Sequence, residues 1–573
     1  MILGIHDCHD AGAALIDNGK IVAAVNEERF TKRKNDVGFP YNSIKYLVDL
    51  VGIDAIDKVA VAWIGGSALF ARVYPKREEY RRALWRREIP KPSLLNMKLT
   101  NLVFRLIQEQ KPRELWHLLG EHIGGYFISK RLKALGIDKP IEFVEHHIAH
   151  AASAYYASGF KEALVITLDG AGDGLSGSIS IGDNGELKRI NSFRAGASLG
   201  ILYGAATLAL DMRYSEDEGK TMCLAAYSYP YEIKELEKIS RFDESKRQLV
   251  SDFGIKYELY LAEYFKNNIL WYTNREAFAY AVQKHLENQI LKIVNLYVKE
   301  TGIKNIAVAG GVFSNIIVNM LINELPYIKN FFVFPHMGDG GLAVGAAYYV
   351  DYKDNKKFNS KQIEHLYYGA SYSNNNIEDV LKKYKKDKKI AYEEIADPAS
   401  YAADLLRDNK IILWFQGAME YGPRALGNRS ILALPNDNRN RELVNLKIKK
   451  RPYYQPFASS ILDEDADKLL DPYPRPNRFM TVGYHIKEEH YQDLIAASHI
   501  DKTTRPQILQ NENKLYRELL LKVRKITGYG ALFNTSLNKH GKPIVMDPED
   551  ALWTLLNTDA EDLIIGNFYV KKL

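Results

Sequence analysis

Basic side chains in two segments rich in glycine, proline or aromatic residues indicate anion chemistry in the second half of the chain. The segment GAMEYGPRALGNRSILA, residues 417–433, contains Arg424 and Arg429, and the later KIKKRPYYQPFASSIL contains Lys449 and Arg451. Guanidinium groups pair bidentately with phosphate or carboxylate, and glycines let backbone N–H groups approach the same oxygens. The two clusters together predict one anion pocket, although either alone would also suit a surface turn with solvated cations.

His146 and His150 have the spacing of two ligands of one metal ion. The segment HHIAH continues into AASAYYASGF, which can form a helix, and residues four apart share a helix face. Histidines with this spacing are more often structural or exposed. Asp169 and Asp339 stand at the ends of predicted strands, and either could complete a mixed nitrogen and oxygen site. Such ligands suit iron(II), manganese or zinc and do not choose among them.

Two glycine turns predict phosphate contacts. The segment NIAVAGGVFSNIIVNMLI indicates a strand, a turn at Gly310 and Gly311, and a helix. The next segment, FFVFPHMGDGGLAVGAAYYV, repeats this order with Asp339 in the turn. Such turns present backbone N–H groups at a helix N-terminus, where phosphates bind. A tight turn without a ligand is the alternative for AGGV.

The elements that must position these residues are repeated in the first half of the chain. Alternating apolar residues and the hairpin signal Asp17–Asn18–Gly19 predict paired strands near the N-terminus, and the same pattern returns over residues 162–190. Each unit begins with a strand ending in an aspartate, Asp7 or Asp169. The sequence therefore predicts a duplicated α/β unit.

The length of 573 residues predicts two domains. The polar, lysine-rich stretch 353–363 is the predicted linker, which places an N-terminal domain at 1–355 and a C-terminal domain at 364–573. The second domain alternates short apolar strands with helices and is expected to be α/β. A helical insertion is expected at about 65–135, and its basic residues are more typical of a solvated face than of a lid over an anion.

Composition excludes several classes of protein. Apolar content of 46% and charged content of 26% are typical of a soluble globular protein. A formal charge of +6 is too small at this length to indicate a nucleic-acid partner. Two cysteines, no long apolar run and no signal-peptide pattern predict a cytoplasmic location without a membrane partner.

Three motifs resemble those of a known enzyme family. GPRALGNRSIL, the following N-x-x-x-K-x-R segment and LFNTSLNKHGKPIVMDPEDAL are similar to O-carbamoyltransferases of the nodulation protein U, cephalosporin and tobramycin type. The resemblance covers nearly the whole chain. It implies an actin-, Hsp70- and sugar-kinase-like (ASKHA) first domain and a YrdC-like second domain. It also implies that carbamoyl phosphate and ATP, with Mg²⁺, give carbamoyl adenylate, whose carbamoyl group moves to a hydroxyl of a small molecule or glycan.

The resemblance also implies roles for individual residues. His146, His150, Asp169 and Asp339 match a metal site, and the family favours iron(II). Gly310, Gly311, Asn315 and Gly338 are then the nucleotide-side residues. The residues predicted for carbamoyl phosphate and ATP, from spacing and resemblance together, are Arg424, Arg429, Lys449, Arg451, Arg505, Asn534, Ser536 and Asn538.

Transfer to an alcohol requires a base, because a hydroxyl must lose its proton as it attacks. His9 and Asp10 follow the first predicted strand, in HDCHDAGAAL. Asp10 is the candidate base and His9 the second choice, while an Asp10 that only caps the turn fits equally well. Arg424 is the catalytic cation expected to stabilise charge on the phosphates.

Two other functions stay open. An enzyme of the threonylcarbamoyl-adenosine tRNA type would need a basic tRNA-binding face, which the small net charge and GPRALGNRS argue against. A non-catalytic nucleotide-binding regulator would not need the clustered Arg424, Lys449 and Arg505. The sequence does not identify the acceptor, and a homodimer is compatible with it.

Overall fold

A computed structural model describes residues 1–93, 96–97, 100–101, 110, 113–254, 256–387 and 389–573, to which all structural statements refer. The chain divides into two compact units. Unit 1 comprises Met1–Glu27 and Asn35–Ile363, and unit 2 comprises Glu28–Lys34 and Glu364–Leu573. A short segment of the N-terminal region, residues 28–34, therefore belongs to unit 2.

Both units contain strands and helices. The strands are β1 (Ile2–His6), β2 (Gly12–Asp17), β3 (Lys20–Asn26), β4 (Lys58–Ala62), β5 (Ile141–Val144), β6 (Glu162–Gly172), β7 (Leu175–Asp183), β8 (Glu186–Arg194), β9 (Arg241–Asp243), β10 (Gln248–Val250), β11 (Asn305–Ala309), β12 (Asn330–Val333), β13 (Ile390–Glu394), β14 (Ile412–Phe415), β15 (Arg429–Ala433), β16 (Ala458–Leu462), β17 (Leu470–Asp471), β18 (Tyr484–Ile486), β19 (Thr503–Thr504), β20 (Gln507–Leu509), β21 (Ala531–Ser536), β22 (Asp562–Ile565) and β23 (Phe568–Lys572). The α-helices are α1 (Glu28–Thr31), α2 (Tyr41–Val51), α3 (Ser67–Val73), α4 (Lys76–Trp85), α5 (Arg113–Leu119), α6 (Gly125–Ala134), α7 (His146–Ser158), α8 (Leu199–Ala209), α9 (Glu218–Ala225), α10 (Glu235–Ile239), α11 (Glu258–Asn268), α12 (Arg275–Thr301), α13 (Ile316–Glu324), α14 (Leu342–Asn355), α15 (Asn374–Lys386), α16 (Pro398–Arg407), α17 (Asn438–Leu443), α18 (Asp463–Leu469), α19 (Lys514–Thr527) and α20 (Pro548–Leu556). None of these helices is both long and apolar enough to cross a bilayer.

Unit 1 contains the predicted duplication. One sheet has the order β3-β2-β1-β4-β5 and a second has the order β8-β7-β6-β11-β12. In each, the first strand pairs antiparallel with the next strand and parallel with a strand reached by a long crossover. Asn18 and Gly19, like Asn184 and Gly185, have positive φ, as the two-residue hairpins require. The identical strand order confirms the repeated α/β unit.

Two helices connect the repeats. Helix α7 packs against β6 and β11 of the second sheet, and α14 packs against β1, β2 and β4 of the first. The helices also contact each other closely, since a Cβ on Gly345 would lie 1.9 Å from the carbonyl oxygen of Ala149. This close approach fixes the start of α7 relative to the turn that precedes α14.

Within its described residues, the predicted insertion contains helices α3 to α6, whereas residues 86–93 form turns and irregular chain. Residues 94–95, 98–99, 102–109 and 111–112 of the insertion lie outside the described residues. Not all of its basic side chains face solvent. The fully buried guanidinium of Arg72 donates to both carboxylate oxygens of Asp7, so this predicted strand-end aspartate has a structural partner.

Unit 2 is built on an eight-stranded mixed sheet with the order β13-β23-β22-β14-β15-β21-β16-β20. Helices α15 and α20 cover one apolar cluster, and α16 and α19 cover another, which includes the fully buried Trp414. Helices on a mixed sheet confirm the predicted α/β class of the second half. The division between the units falls after Ile363, at the end of the stretch predicted as a linker.

Candidate functional site

The four predicted metal ligands converge in unit 1. His146 and His150 lie one turn apart on α7, and Asp339 begins a short 3-10 helix before α14. Asp169 lies inside β6, where the pairing with β7 is irregular, rather than at the end of the strand as expected. One ligand atom from each of the four residues lies within 4.8 Å of the others.

The distances within this cluster fit a metal ion. Nε2 of His146 is 3.1 Å from Oδ2 of Asp169, and Nε2 of His150 is 3.3 Å from Oδ1 of Asp339. Ligands about 2.1 Å from a tetrahedral ion lie roughly 3.4 Å apart, so these contacts match the edges of a coordination shell. The buried Nε2 of His150 makes no hydrogen bond within the described part of the chain. The donor set suits iron, manganese or zinc without selecting one.

The charges of the cluster also favour a cation. Burial disfavours a charged imidazole, yet the nearby carboxylates of Asp169 and Asp339 raise the pKa of His150 to about 9. Burial raises the pKa of Asp169, but His146 and His150 hold it well below its usual value. Two carboxylates confined with two imidazoles would be stabilised by a divalent ion.

A third acid, the buried Asp173, holds the metal-ligand helix in place. Its carboxylate accepts hydrogen bonds from the backbone N–H groups of Ile64, Gly65 and His146, at 3.1, 2.7 and 2.9 Å. Asp173 has a positive φ and lies in the turn between β6 and β7. Sequence reasoning did not single out this residue, although LDGAGDG contains it. It ties the start of α7 to the loop after β4.

His9 and Asp10 lie beside the metal cluster, with His9 the nearer. Nε2 of His9 is 3.2 Å from Oδ2 of Asp339, and its Nδ1 is 3.7 Å from Oδ2 of Asp10. Burial lowers the pKa of His9, but the carboxylates of Asp339 and Asp10 raise it to about 9. The imidazole of His9 therefore lies between Asp10, which faces its Nδ1, and the metal cluster, which faces its Nε2.

A cavity adjoins this pair. His9 and Asp10 line it together with Trp85 of α4 and Tyr214. The Trp85 indole N–H donates to the buried carboxylate of Glu258 at 2.7 Å, which fixes the ring. The cavity is therefore bordered by side chains of the helical insertion, and the reactive groups lie at its wall.

The two predicted glycine turns, at Gly310–Gly311 and at Gly338, lie beside the metal cluster. Gly310 has φ +105°, and a Cβ there would lie 2.1 Å from the carbonyl oxygen of Leu168, so only glycine fits. The N–H of Gly311 donates to Asp169 at 3.0 Å. Asn315 caps α13 through its side chain, and Gly338 has open space around its Cα. The predicted nucleotide-side residues therefore adjoin the metal cluster, although the amide of Asn315 is already hydrogen-bonded.

In unit 2, Lys449 lies buried at the centre of a group of predicted anion ligands. Its ammonium donates to the backbone oxygens and side chains of Ser536 and Asn538, which are all uncharged acceptors. Burial, followed by the nearby cations Arg451 and Lys34, holds the pKa of Lys449 well below its usual value. A concentration of positive charge with neutral partners favours a bound anion.

The turn that carries Arg424 is held by two buried side chains that sequence reasoning missed as anchors. One carboxylate oxygen of Glu420 accepts from the backbone N–H groups of Leu426, Asn428 and Arg429, at 2.8, 2.8 and 3.1 Å. Arg29, from the segment 28–34, donates to the carbonyl of Gly422 at 2.7 Å. Arg424 itself is half-buried, two residues after this contact.

Arg429 and Arg451 are used differently from the expectation. The fully buried Arg429 donates to the carbonyls of Gln416, Gly417, Asn428 and Ala370, and lies 3.6 Å above the Phe415 ring. Burial lowers its pKa to about 10. Arg451 donates to Asn445, Gln455 and Pro456 and stacks on Phe457. These contacts favour a structural role for both guanidinium groups.

Two further predicted ligands border the region. Asn534 on β21 is fully buried and donates to Ser460 and to the carbonyl of Ala425, so this strand touches the turn that carries Arg424. Arg505 follows β19 and is half-buried. The structure therefore brings the 424 turn, the 534–538 strand end and Lys449 into one region of unit 2.

The chain matches two protein-family models. Residues 1–348 match the family described as carbamoyltransferase N-terminus, and residues 403–572 match carbamoyltransferase C-terminus. Uncharacterized protein MJ1058 of Methanocaldococcus jannaschii is 33% identical, with 100% of this chain and 99% of the relative covered. Nodulation protein NolNO of Sinorhizobium fredii is 31% identical, with 98% of this chain and 79% of the relative covered.

Two solved structures show a remote similarity to this chain. Full-length HypF in a phosphate- and nucleotide-bound form is 13% identical with a TM-score of 0.31, covering 62% of this chain and 55% of HypF. Component A of (R)-2-hydroxyglutaryl-CoA dehydratase from Acidaminococcus fermentans is also 13% identical, with a TM-score of 0.33, covering 62% of this chain and 99% of that protein. Similarity at this level supports no statement about substrates.

Proposed function

Because this chain belongs to the carbamoyltransferase family, we propose that it uses ATP and carbamoyl phosphate to carbamoylate a hydroxyl group. The observation that carries the proposal is the buried Lys449, surrounded by neutral oxygens and close to Arg451 and Lys34. Such a cation is costly to bury, and a phosphate group would compensate it.

The proposed reaction has two halves that balance. Water cleaves carbamoyl phosphate into carbamate and phosphate, and a carbamate oxygen then attacks the α-phosphorus of ATP, which releases pyrophosphate and leaves carbamoyl adenylate. In the second half, an acceptor oxygen attacks the carbamoyl carbon, AMP leaves, and the hydroxyl proton passes to a base. The acceptor class proposed is a hydroxyl-bearing small molecule or glycan.

The first half is assigned to unit 2. Lys449 and Arg424 would bind the phosphates and stabilise the charge that builds on them during adenylation. Ser536 and Asn538 hold the Lys449 ammonium at a fixed position, so little reorganisation is needed when an anion binds. Arg505 is the third proposed anion ligand. Arg429 and Arg451 would act indirectly, by fixing the backbone around the site.

The second half is assigned to unit 1. His146, His150, Asp169 and Asp339 would hold a divalent ion, proposed to be iron(II). When bound, such an ion supplies Lewis-acid stabilisation of phosphate or carbamoyl oxygens. The N–H groups of the turn at Gly310 would contact the nucleotide. His9, oriented by Asp10, would take the proton of the acceptor hydroxyl, because a cation held by Asp339 would offset the negative charge that raises the imidazole pKa.

The proposal is tested by pyrophosphate release from ATP in the presence and absence of carbamoyl phosphate, without an acceptor. Wild-type protein, Lys449→Met and Lys447→Met should be compared. Lys447 lies two residues away on the same helical turn and is exposed, so its variant removes the same charge without touching the buried site. We expect carbamoyl-phosphate-dependent release from wild type and Lys447→Met, and at least a hundredfold loss in Lys449→Met. Absence of release from folded wild-type protein, with or without candidate acceptors, would contradict the proposal.

A further inference from the structure

Residues 28–34 form a short segment that folds with unit 2 although both of its neighbours in sequence belong to unit 1. The chain leaves unit 1 after Glu27 and returns at Asn35. In between, it forms the single turn of α1 and places four basic residues within unit 2, of which Arg33 is exposed and Arg29, Lys32 and Lys34 are wholly or partly buried. Arg29 contacts the turn that carries Arg424, Lys34 lies near Lys449, and Lys32 pairs with carboxylates at the start of α20.

Arg29 makes the most buried of these contacts. Its side chain is 3% exposed and donates to the carbonyl of Gly422 at 2.7 Å and to the carbonyl of Ile544 at 3.3 Å. Gly422 has φ +115° and is separated from Arg424 by one proline. Because the guanidinium is a planar fork, it holds the two carbonyls at a fixed separation. Arg29 thus braces the Arg424 turn against the segment that follows Asn538.

Lys32 anchors the other end of the segment. Its ammonium pairs with the carboxylates of Asp547 and Asp550, which form the capping box at the start of α20. Lys34 follows two residues later, and its charge is one of those that lower the pKa of Lys449. The segment is therefore held at both ends and introduces a cation beside the buried lysine.

We propose that this segment, through Arg29, Lys32 and Lys34, is a structural part of the carbamoyl phosphate and ATP site of unit 2, with Arg29 as the positioning residue for the turn that carries Arg424. This inference rests on the proposed function, because it assigns the substrate anion to that site. Arg29 acts through the backbone of Gly422 and touches no substrate. Its loss should therefore affect the binding of the anion more than the later transfer step.

The test uses the full chain and compares Arg29→Gln, Arg29→Lys and Arg33→Gln. Glutamine offers one amide in place of the fork, and lysine keeps the charge with a single ammonium. Arg33 is exposed on the same segment and provides the control for charge removal. We expect the KM for carbamoyl phosphate in pyrophosphate release to rise at least tenfold in Arg29→Gln, to rise less in Arg29→Lys, and to stay within twofold in Arg33→Gln, with a smaller change in kcat.

Calorimetric titration with carbamoyl phosphate gives a readout that does not depend on turnover. We expect the Kd to follow the same order as the KM, and circular dichroism should verify folding. If Arg29→Gln does not fold, Lys32→Gln is tested in its place, because the Lys32 side chain is 40% exposed and its loss perturbs the core less. The Kd for carbamoyl phosphate should then rise about threefold or more.

An unchanged Kd and KM in a folded Arg29→Gln protein would overturn the inference, as would a fall in kcat alone. Wild-type protein that binds carbamoyl phosphate but releases no pyrophosphate would contradict the proposed function. The Kd series would in that case still decide the role of Arg29.

Discussion

The Nε2 atom of His9 lies 3.2 Å from Oδ2 of Asp339, a predicted metal ligand more than three hundred residues further along the chain. Asp10 lies on the other side of the imidazole, with its carboxylate 3.7 Å from Nδ1. The arrangement resembles an imidazole oriented by a carboxylate, in which the ring handles the proton and the acid sets its tautomer.

Replacement of His9 should separate the two half-reactions. We expect His9→Gln to lower carbamoyl transfer to an acceptor by roughly 10²–10⁴, the usual contribution of a general base, because glutamine cannot take up the proton. Pyrophosphate release without acceptor should stay within about twofold, since His9 belongs to unit 1. Asp10→Asn should have the smaller effect on transfer. Equal losses of both activities in His9→Gln would contradict this assignment.

Metal content should depend on the α7 histidines. We expect wild-type protein to keep about one divalent ion per chain after dialysis. His146→Ala or His150→Ala should keep less than about a tenth of that amount, because each removes one direct ligand of the ion. His122→Ala, at an exposed position, is the control. Inductively coupled plasma mass spectrometry measures the content and identifies the ion. Full retention of metal in both ligand variants would show that the ion binds elsewhere.

The Glu420 carboxylate should control the order of the turn that carries Arg424. Glu420→Ala leaves three buried N–H groups without their acceptor, so we expect the free energy of unfolding to fall by about 1–3 kcal/mol or more. Glu420→Gln keeps an acceptor oxygen but loses the charge, and it should cost less. Urea denaturation measures both. In both variants the KM for carbamoyl phosphate should rise, and a destabilised protein with unchanged KM would limit Glu420 to a role in stability.

The buried Lys449 should make stability depend on pH. Burial, with Arg451 and Lys34, lowers its pKa in the folded protein below the ordinary value of 10.5. Between the two pKa values the unfolded chain binds one more proton than the folded protein, so stability rises with pH in this window. We expect the free energy of unfolding of wild type, relative to Lys449→Met, to increase between pH 7 and pH 10. Urea titrations of both proteins at several pH values measure this, and a constant difference would contradict it.

Local sequence features predicted much of the fold. The hairpins at Asn18–Gly19 and Asn184–Gly185 follow from residues that accept positive φ, and the repeated pattern around them indicated the duplicated sheets. The sequence also predicted the pair His146 and His150, because helical spacing alone puts both rings on one face. In each case the information lies within a few consecutive residues.

Other assignments needed contacts that no local pattern contains. Arg424 and Arg429 look alike in the sequence, but Arg429 is buried against four carbonyls and Arg424 is half-buried. A guanidinium in a glycine-rich turn can face either an anion or the backbone, and the packing around it decides which. Asp173 and Glu420 were missed for the same reason, since their partners are backbone N–H groups.

The sequence by itself determined the family, the α/β class of both halves and the residue types available for metal and anion binding. Only the tertiary structure decided that α7 and α14 pack closely enough to bring Asp339 to His150, and that residues 28–34 fold with unit 2. The physical reason is that helix and hairpin signals arise from short-range sterics and hydrogen bonds. Which distant side chains meet depends instead on how whole elements bury their apolar faces against one another.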